Sequence, residues 1–130
     1  MERLITGHFR IGSNLPGAPL FKLSLSFLDG HAHGQGTITQ AVNPPLDIHS
    51  HLRGTSALIV SGADTRQIIT LTGHEFVTPM PPNPVNVECS MYLDSKQPGT
   101  GMATYRYLDE KKQWVDVQNV PVKVTWIPVE

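Results

Sequence analysis

"LFKLSLSFLDGHAHGQGTITQ", residues 20–40, is the stretch on which the fold of this chain turns. In its first half Phe21, Leu23, Leu25 and Phe27 alternate with Lys22, Ser24 and Ser26, the two-residue period of a strand with one buried face. Asp29-Gly30 follows, a dipeptide suited to the positive φ angles of a two-residue hairpin loop. Such a loop sets the register: Leu28 opposite His31, Phe27 opposite Ala32, Ser26 opposite His33, Leu25 opposite Gly34, Leu23 opposite Gly36 and Phe21 opposite Ile38. Cross-strand partners share a face of the sheet. The large apolar residues therefore meet Ala32, Gly34, Gly36 and Ile38, while His33, Gln35 and Thr37 join Lys22, Ser24 and Ser26 on the polar side. The histidines of this stretch are expected to face water.

A second histidine pair lies in "LDIHSHLR", residues 46–53. Leu46, Ile48 and Leu52 mark one face, with Ser50 a polar intruder in it; Asp47, His49, His51 and Arg53 mark the other. If Asn43-Pro44-Pro45 closes a hairpin, Gln40 faces Ile48, Ile38 faces Ser50, Thr39 faces His49 and Thr37 faces His51. His33 then lies about 13 Å along its strand from the row of His51. Zinc holds its ligand nitrogens at about 2 Å, so no four-histidine centre is expected. The narrower metal reading is a D-x-H-x-H cluster of Asp47, His49 and His51. Its third ligand would have to come from a neighbouring strand, where threonines are expected. The H-x-H of His31 and His33 also departs from the cupin metal barrels, because Gly34, Gln35, Gly36 and Thr37 stand where a glutamate would follow. His8 and His74 each follow a glycine near a strand end and have no sequence-local partner.

The same alternation recurs along the chain. Val85, Val87, Cys89, Met91 and Leu93 share one face of "VNVECSMYL", and Val120, Val122, Val124 and Trp126 share one face of "VPVKVTW". Further strands are expected at "GHFRI", "GTITQAV", "LDIHSHL", "ALIV", "QIITLT", "GMATYRYL" and "WVDV". Eleven glycines and eleven prolines punctuate them, and no window carries a helical apolar stripe. Nine or ten short strands at turn spacing predict a single all-β domain over residues 1–130, an antiparallel β-sandwich or a small β-barrel. "TPMPPNP", residues 78–84, is expected as a stiff connector; its P-x-x-P spacing also allows a docking turn.

Ten basic and eleven acidic residues nearly cancel. No nucleic-acid partner and no anionic membrane surface is expected from that balance. The lone cysteine, Cys89, cannot close an internal disulfide and is expected as a small buried hydrophobe. The amino terminus has no signal-peptide h-region and no run of apolar residues is long enough to span a bilayer, so a reducing, cytoplasmic setting is the default. No G-x-S-x-G elbow, P-loop or paired-cysteine motif is present, and no catalytic, cofactor-binding or metal-ligating residue is assigned. Asp29, Asp64, Asp94, Asp109 and Glu110 fall in expected turns, and Glu88 on the strand face opposite Cys89. Tyr105, Tyr107 and Trp114 are expected to pack in the core and hairpin rather than to form a stacking surface.

"GQGTITQAVNPPLDI", with the earlier "GHFRIG" and "GAPLFKLSLSF", resembles a family of small bacterial proteins known only as a domain of unknown function. Its most specific part is the G-x-I-T-Q-A run followed by N-P-P-L. The resemblance spans most of the chain and implies a β-rich bacterial domain, with no activity, cofactor or catalytic residue. The leading expectation is a non-enzymatic module that binds a protein or small-molecule partner. Two alternatives stand beside it: a metal-binding protein or metal-dependent enzyme using His49 and His51, and a closed barrel holding a small apolar ligand.

Overall fold

The computed structural model describes residues 5–13, 15–41, 45–62, 64–75, 84–94 and 99–127. The described residues contain eight strands and no helix: β1 (Ile5–Ile11), β2 (Leu20–Leu28), β3 (His31–Gln40), β4 (Leu46–Ser61), β5 (Asp64–Glu75), β6 (Val85–Asp94), β7 (Thr100–Leu108) and β8 (Trp114–Ile127). Each pairs antiparallel with the next, and β1 pairs with β8, so the sheet closes into an up-and-down barrel. Among the described residues no helix is long and apolar enough to cross a membrane.

The β2–β3 hairpin has the register set by its loop, from Leu28–His31 through Leu25–Gly34 to Phe21–Ile38. Asp29 and Gly30 take φ angles of 53° and 75°, the left-handed pair that lets a two-residue loop match the twist of its strands. Leu25, Phe21 and Ile38 are fully buried, and His31 and His33 lie exposed on the other face.

Two expectations need correction. Ten segments become eight strands because "LDIHSHL" and "ALIV" are one strand, as are "WVDV" and "VPVKVTW". Gly54, which interrupts the first pattern, lies inside β4, paired with Ala32 on one side and Leu71 on the other, and is not an end. Its α-carbon lies so close to β5 that an added methyl would meet the Thr70 carbonyl at 1.7 Å. Asn119, at φ 55°, absorbs a register shift opposite Ala103–Tyr105, and its N–H donates to Thr104 Oγ1 at 3.2 Å. The β3–β4 register also differs by two residues from the expected one: Ile38 faces Ile48, Thr37 faces His49 and Gln35 faces His51. The ladder runs closer to the turn, which buries Leu46 opposite Gln40. A shift of two preserves which face each side chain occupies.

Closing the sheet makes the barrel axis the core. Phe9, Ile11, Phe21, Leu23, Leu25, Ile38, Leu52, Ile69, Leu71, Val87, Met91, Tyr105 and Val122 are all buried in one cluster. The interior is filled by side chains. Above Gly36, for instance, Phe21 Cε1 and Leu52 Cδ1 stand where a β-carbon would meet them at 2.7 Å and 3.0 Å. The end of the barrel beside Gly7 is covered by the Trp126 ring, whose centroid lies 5.8 Å from both Phe9 and Phe27. Cys89 is buried, and removal from water pushes its thiol up from 9.0 to about 12.

The Ser50 anomaly has a partner that the sequence pattern conceals. A bulge between Gly73 and His74 pairs Gly73 with Val87 and His74 with Val85, and the residue between, Asn86, is buried. Ser50 Oγ donates to Asn86 Oδ1 at 2.8 Å, and Asn86 Nδ2 donates to the His49 carbonyl at 3.3 Å. Alternation alone would have put Asn86 outside. "TPMPPNP" lies outside the described residues except for Pro84, whose carbonyl accepts the Glu75 N–H.

Candidate functional site

Because inward positions are filled, chemistry has to be sought on the outer wall. Reading across neighbouring strands at one level places Lys123 of β8 opposite Arg10 of β1, Arg10 opposite Lys22 of β2, Lys22 opposite Thr37 of β3, and Thr37 opposite His49 of β4. The next level up runs Thr125, His8, Ser24, Gln35, His51 and His74. Strands are about 4.8 Å apart, so the three cations sit within about 10 Å of one another at their backbones. All three are exposed.

Among the described residues these cations have no acidic counterpart. β1, β2 and β3 contain no aspartate or glutamate, and neither does β8 from Pro121 to Ile127. The ion pairs at Arg106–Glu88 (2.9 Å) and Lys112–Glu75 (2.9 Å) lie elsewhere on the barrel. Among the described residues the side chains of Arg10, Lys22 and Lys123 enter no ion pair or hydrogen bond. Like charges directly opposite one another are destabilising in a sheet. The fold therefore carries an uncompensated repulsion at this row.

The polar groups around the row are placed by the same ladders. His8 Nδ1 and Ser24 Oγ are 2.7 Å apart, and Thr37 Oγ1 and His49 Nδ1 are 3.2 Å apart. His49 Nε2 lies 3.2 Å from Asp47 Oδ1, an exposed contact. A groove of about 680 Å³ runs over this wall, lined by Arg10, Lys22, Lys123, His8, Gln35 and His49 among others. That volume falls in the range of small-ligand sites.

The histidines singled out in the sequence all lie on the outer face: His31, His33, His49 and His51 are exposed. The corrected register moves His51 beside Gln35, so His33 is one level from it and not two. The β4–β5 ladder then brings His74 opposite His51, and the ladders from β1 to β4 put His8 on the same level. Among the described residues no group of three or more His, Cys, Asp or Glu could hold a metal ion. Tyr105 and Tyr107 are buried, as the pattern suggested, while Trp114 is part-exposed under the Arg106 guanidinium at 4.2 Å from its ring centroid.

The cationic row was not found from sequence. Alternation puts Lys22 on the polar face, but Arg10 and Lys123 belong to opposite ends of the chain and meet only because β8 closes on β1. The usable signal was the lack of any acid in three consecutive strands. A protein-family model described as "Domain of unknown function (DUF1842)" matches residues 4–114. No curated protein matches the chain.

Proposed function

Since the chain belongs to the DUF1842 family, a domain of unknown function, its role has to be argued from geometry, and we propose a non-enzymatic binding module. Its ligand sits on the outer wall across β8, β1, β2 and β3 and is a small polyvalent anion of the phosphate class. The observation that carries this reading is the row Lys123–Arg10–Lys22, three exposed cations abreast with no acidic partner among the described residues. Such a row costs stability in the free protein and is relieved when an anion bridges it. Arginine supplies a planar fork for phosphate oxygens and the two lysines supply point charges on either side. Ser24, Thr37 and Gln35 supply neutral donors along the same groove. Three cations on a chain of net charge −1 suit a compact anion better than an extended nucleic-acid strand.

Calorimetric titration with inorganic tripolyphosphate at low salt tests the proposal. The wild type should bind, binding should weaken as salt rises, and the triple variant Arg10→Gln, Lys22→Gln, Lys123→Gln should lose it. Absence of binding at low salt, or equal binding by the triple variant, would reject the reading. Tighter binding of a single-stranded oligonucleotide than of tripolyphosphate would also reject it, in favour of nucleic acid.

A further inference from the structure

His8 lies beside the cationic row, two residues from Arg10 on the exposed face of β1. Thr125 of β8 and Ser24 of β2 stand directly opposite it. Its diagonal neighbours on the same face are Lys123 and Ile127 of β8 and Lys22 and Ser26 of β2, while Thr6 and Arg10 flank it on β1. Among the described residues the charged groups that face His8 are therefore Arg10, Lys22 and Lys123, with no carboxylate. These are the three cations that carry the proposed anion. His8 Nδ1 is 2.7 Å from Ser24 Oγ, and both residues line the groove. His49 lines it as well, but Asp47 Oδ1, 3.2 Å from His49 Nε2, balances a charge gained there.

We infer that the groove takes up its anion together with a proton on His8, so that the site loads as pH falls from about 8 to about 5.5, the range in which histidine changes charge. This rests on the phosphate-class reading above and adds its regulation. A neutral imidazole has one N–H and an imidazolium has two. Whichever tautomer is the start, one proton adds a full positive charge and one further donor. With Nε2 bare, the new donor is Nε2–H. With Nδ1 bare, the new Nδ1–H donates to Ser24 Oγ, and the Ser24 hydroxyl, no longer donating to the ring, is free to donate to the anion. No carboxylate faces His8 to absorb the added charge, so it acts on whatever sits on the row. Linkage is reciprocal: a proton on His8 tightens the anion, and the anion draws a proton onto His8 by the same factor.

Calorimetric titration with trimetaphosphate tests this, because that trianion, unlike tripolyphosphate, keeps a constant charge across the range. At about 0.1 M salt, where charges beyond about 10 Å are largely screened, the wild type should bind at least about fivefold more tightly at about pH 5.5 than at about pH 8. Near neutral pH the heat of binding should vary with the ionisation enthalpy of the buffer in the sense of proton uptake. His8→Gln keeps a hydrogen-bonding side chain opposite Ser24 but cannot gain a charge. It should still bind, with the pH dependence cut to less than about twofold and no proton uptake. His33→Gln, on the same outer face but outside the groove, should behave as wild type. A wild-type affinity that does not respond to pH, a His8→Gln protein that keeps the wild-type response, or a His33→Gln protein that loses it would overturn the linkage and leave the anion site standing. No binding of trimetaphosphate at about pH 5.5, even at low salt, would reject the anion site and the linkage with it.

Discussion

Single residues reveal which face of each strand is which. Leu25 is fully buried, and His33, the residue next to its cross-strand partner Gly34, is exposed. Leu25→Asp should unfold the protein, since an unpaired buried carboxylate costs more than the several kcal/mol a small domain has in reserve. His33→Asp should cost less than about 1 kcal/mol in urea denaturation. Comparable losses would mean the faces are reversed. Ser50→Ala leaves Asn86 Oδ1 buried without its donor and should cost about 1–3 kcal/mol. Cys89 supplies a pH dependence. An acid whose folded pKa is raised keeps its proton in the native state after the unfolded chain has lost it. The contribution is therefore fully present below about pH 9 and is lost as pH climbs from 9.0 towards about 12. Thermal melts should show the melting temperature falling above about pH 9, with a weaker early fall in Cys89→Ala; identical profiles would place the alkaline loss elsewhere.

At the scale of elements, alternation identified the strands, and their interruptions were harder to read. Gly54, Asn119 and Pro121 look like ends in a linear pattern because glycine, asparagine and proline usually punctuate. In the closed barrel Gly54 sits inside β4 where β5 comes too close for a β-carbon, and Asn119 carries a bulge in β8, a device that helps a sheet curve round on itself. Gly34 is the same kind of point in β3: a β-carbon there would lie 1.8 Å from the Ser24 carbonyl oxygen. Gly62, by contrast, has φ 61° with open space around it. Gly62→Ala should cost about 1–2 kcal/mol from its left-handed backbone alone. Gly34→Ala should cost clearly more, because backbone has to move. Chemical denaturation of the two variants checks the order, and equal costs would show that β2 and β3 can separate at little expense.

For the whole molecule the informative feature is the segregation of charge. The acids of the strands sit on β4, β5, β6 and β8, leaving the wall of β1, β2 and β3 with cations and no carboxylate. Removing the cations should therefore move two quantities in opposite directions. The triple variant Arg10→Gln, Lys22→Gln, Lys123→Gln should melt at a higher temperature than wild type while losing tripolyphosphate binding. A variant that loses both stability and binding would point to ordinary structural damage.

The faces of the strands, the β2–β3 register and the buried state of Cys89 were all determined locally. A two-residue period and an Asp-Gly turn act through neighbouring residues, and the chain states them in order. The strand count, the inward turn of Asn86 and the Lys123–Arg10–Lys22 row were decided only by the tertiary structure. Each depends on which strand lies alongside which, and barrel closure joins residues that have no relation along the chain.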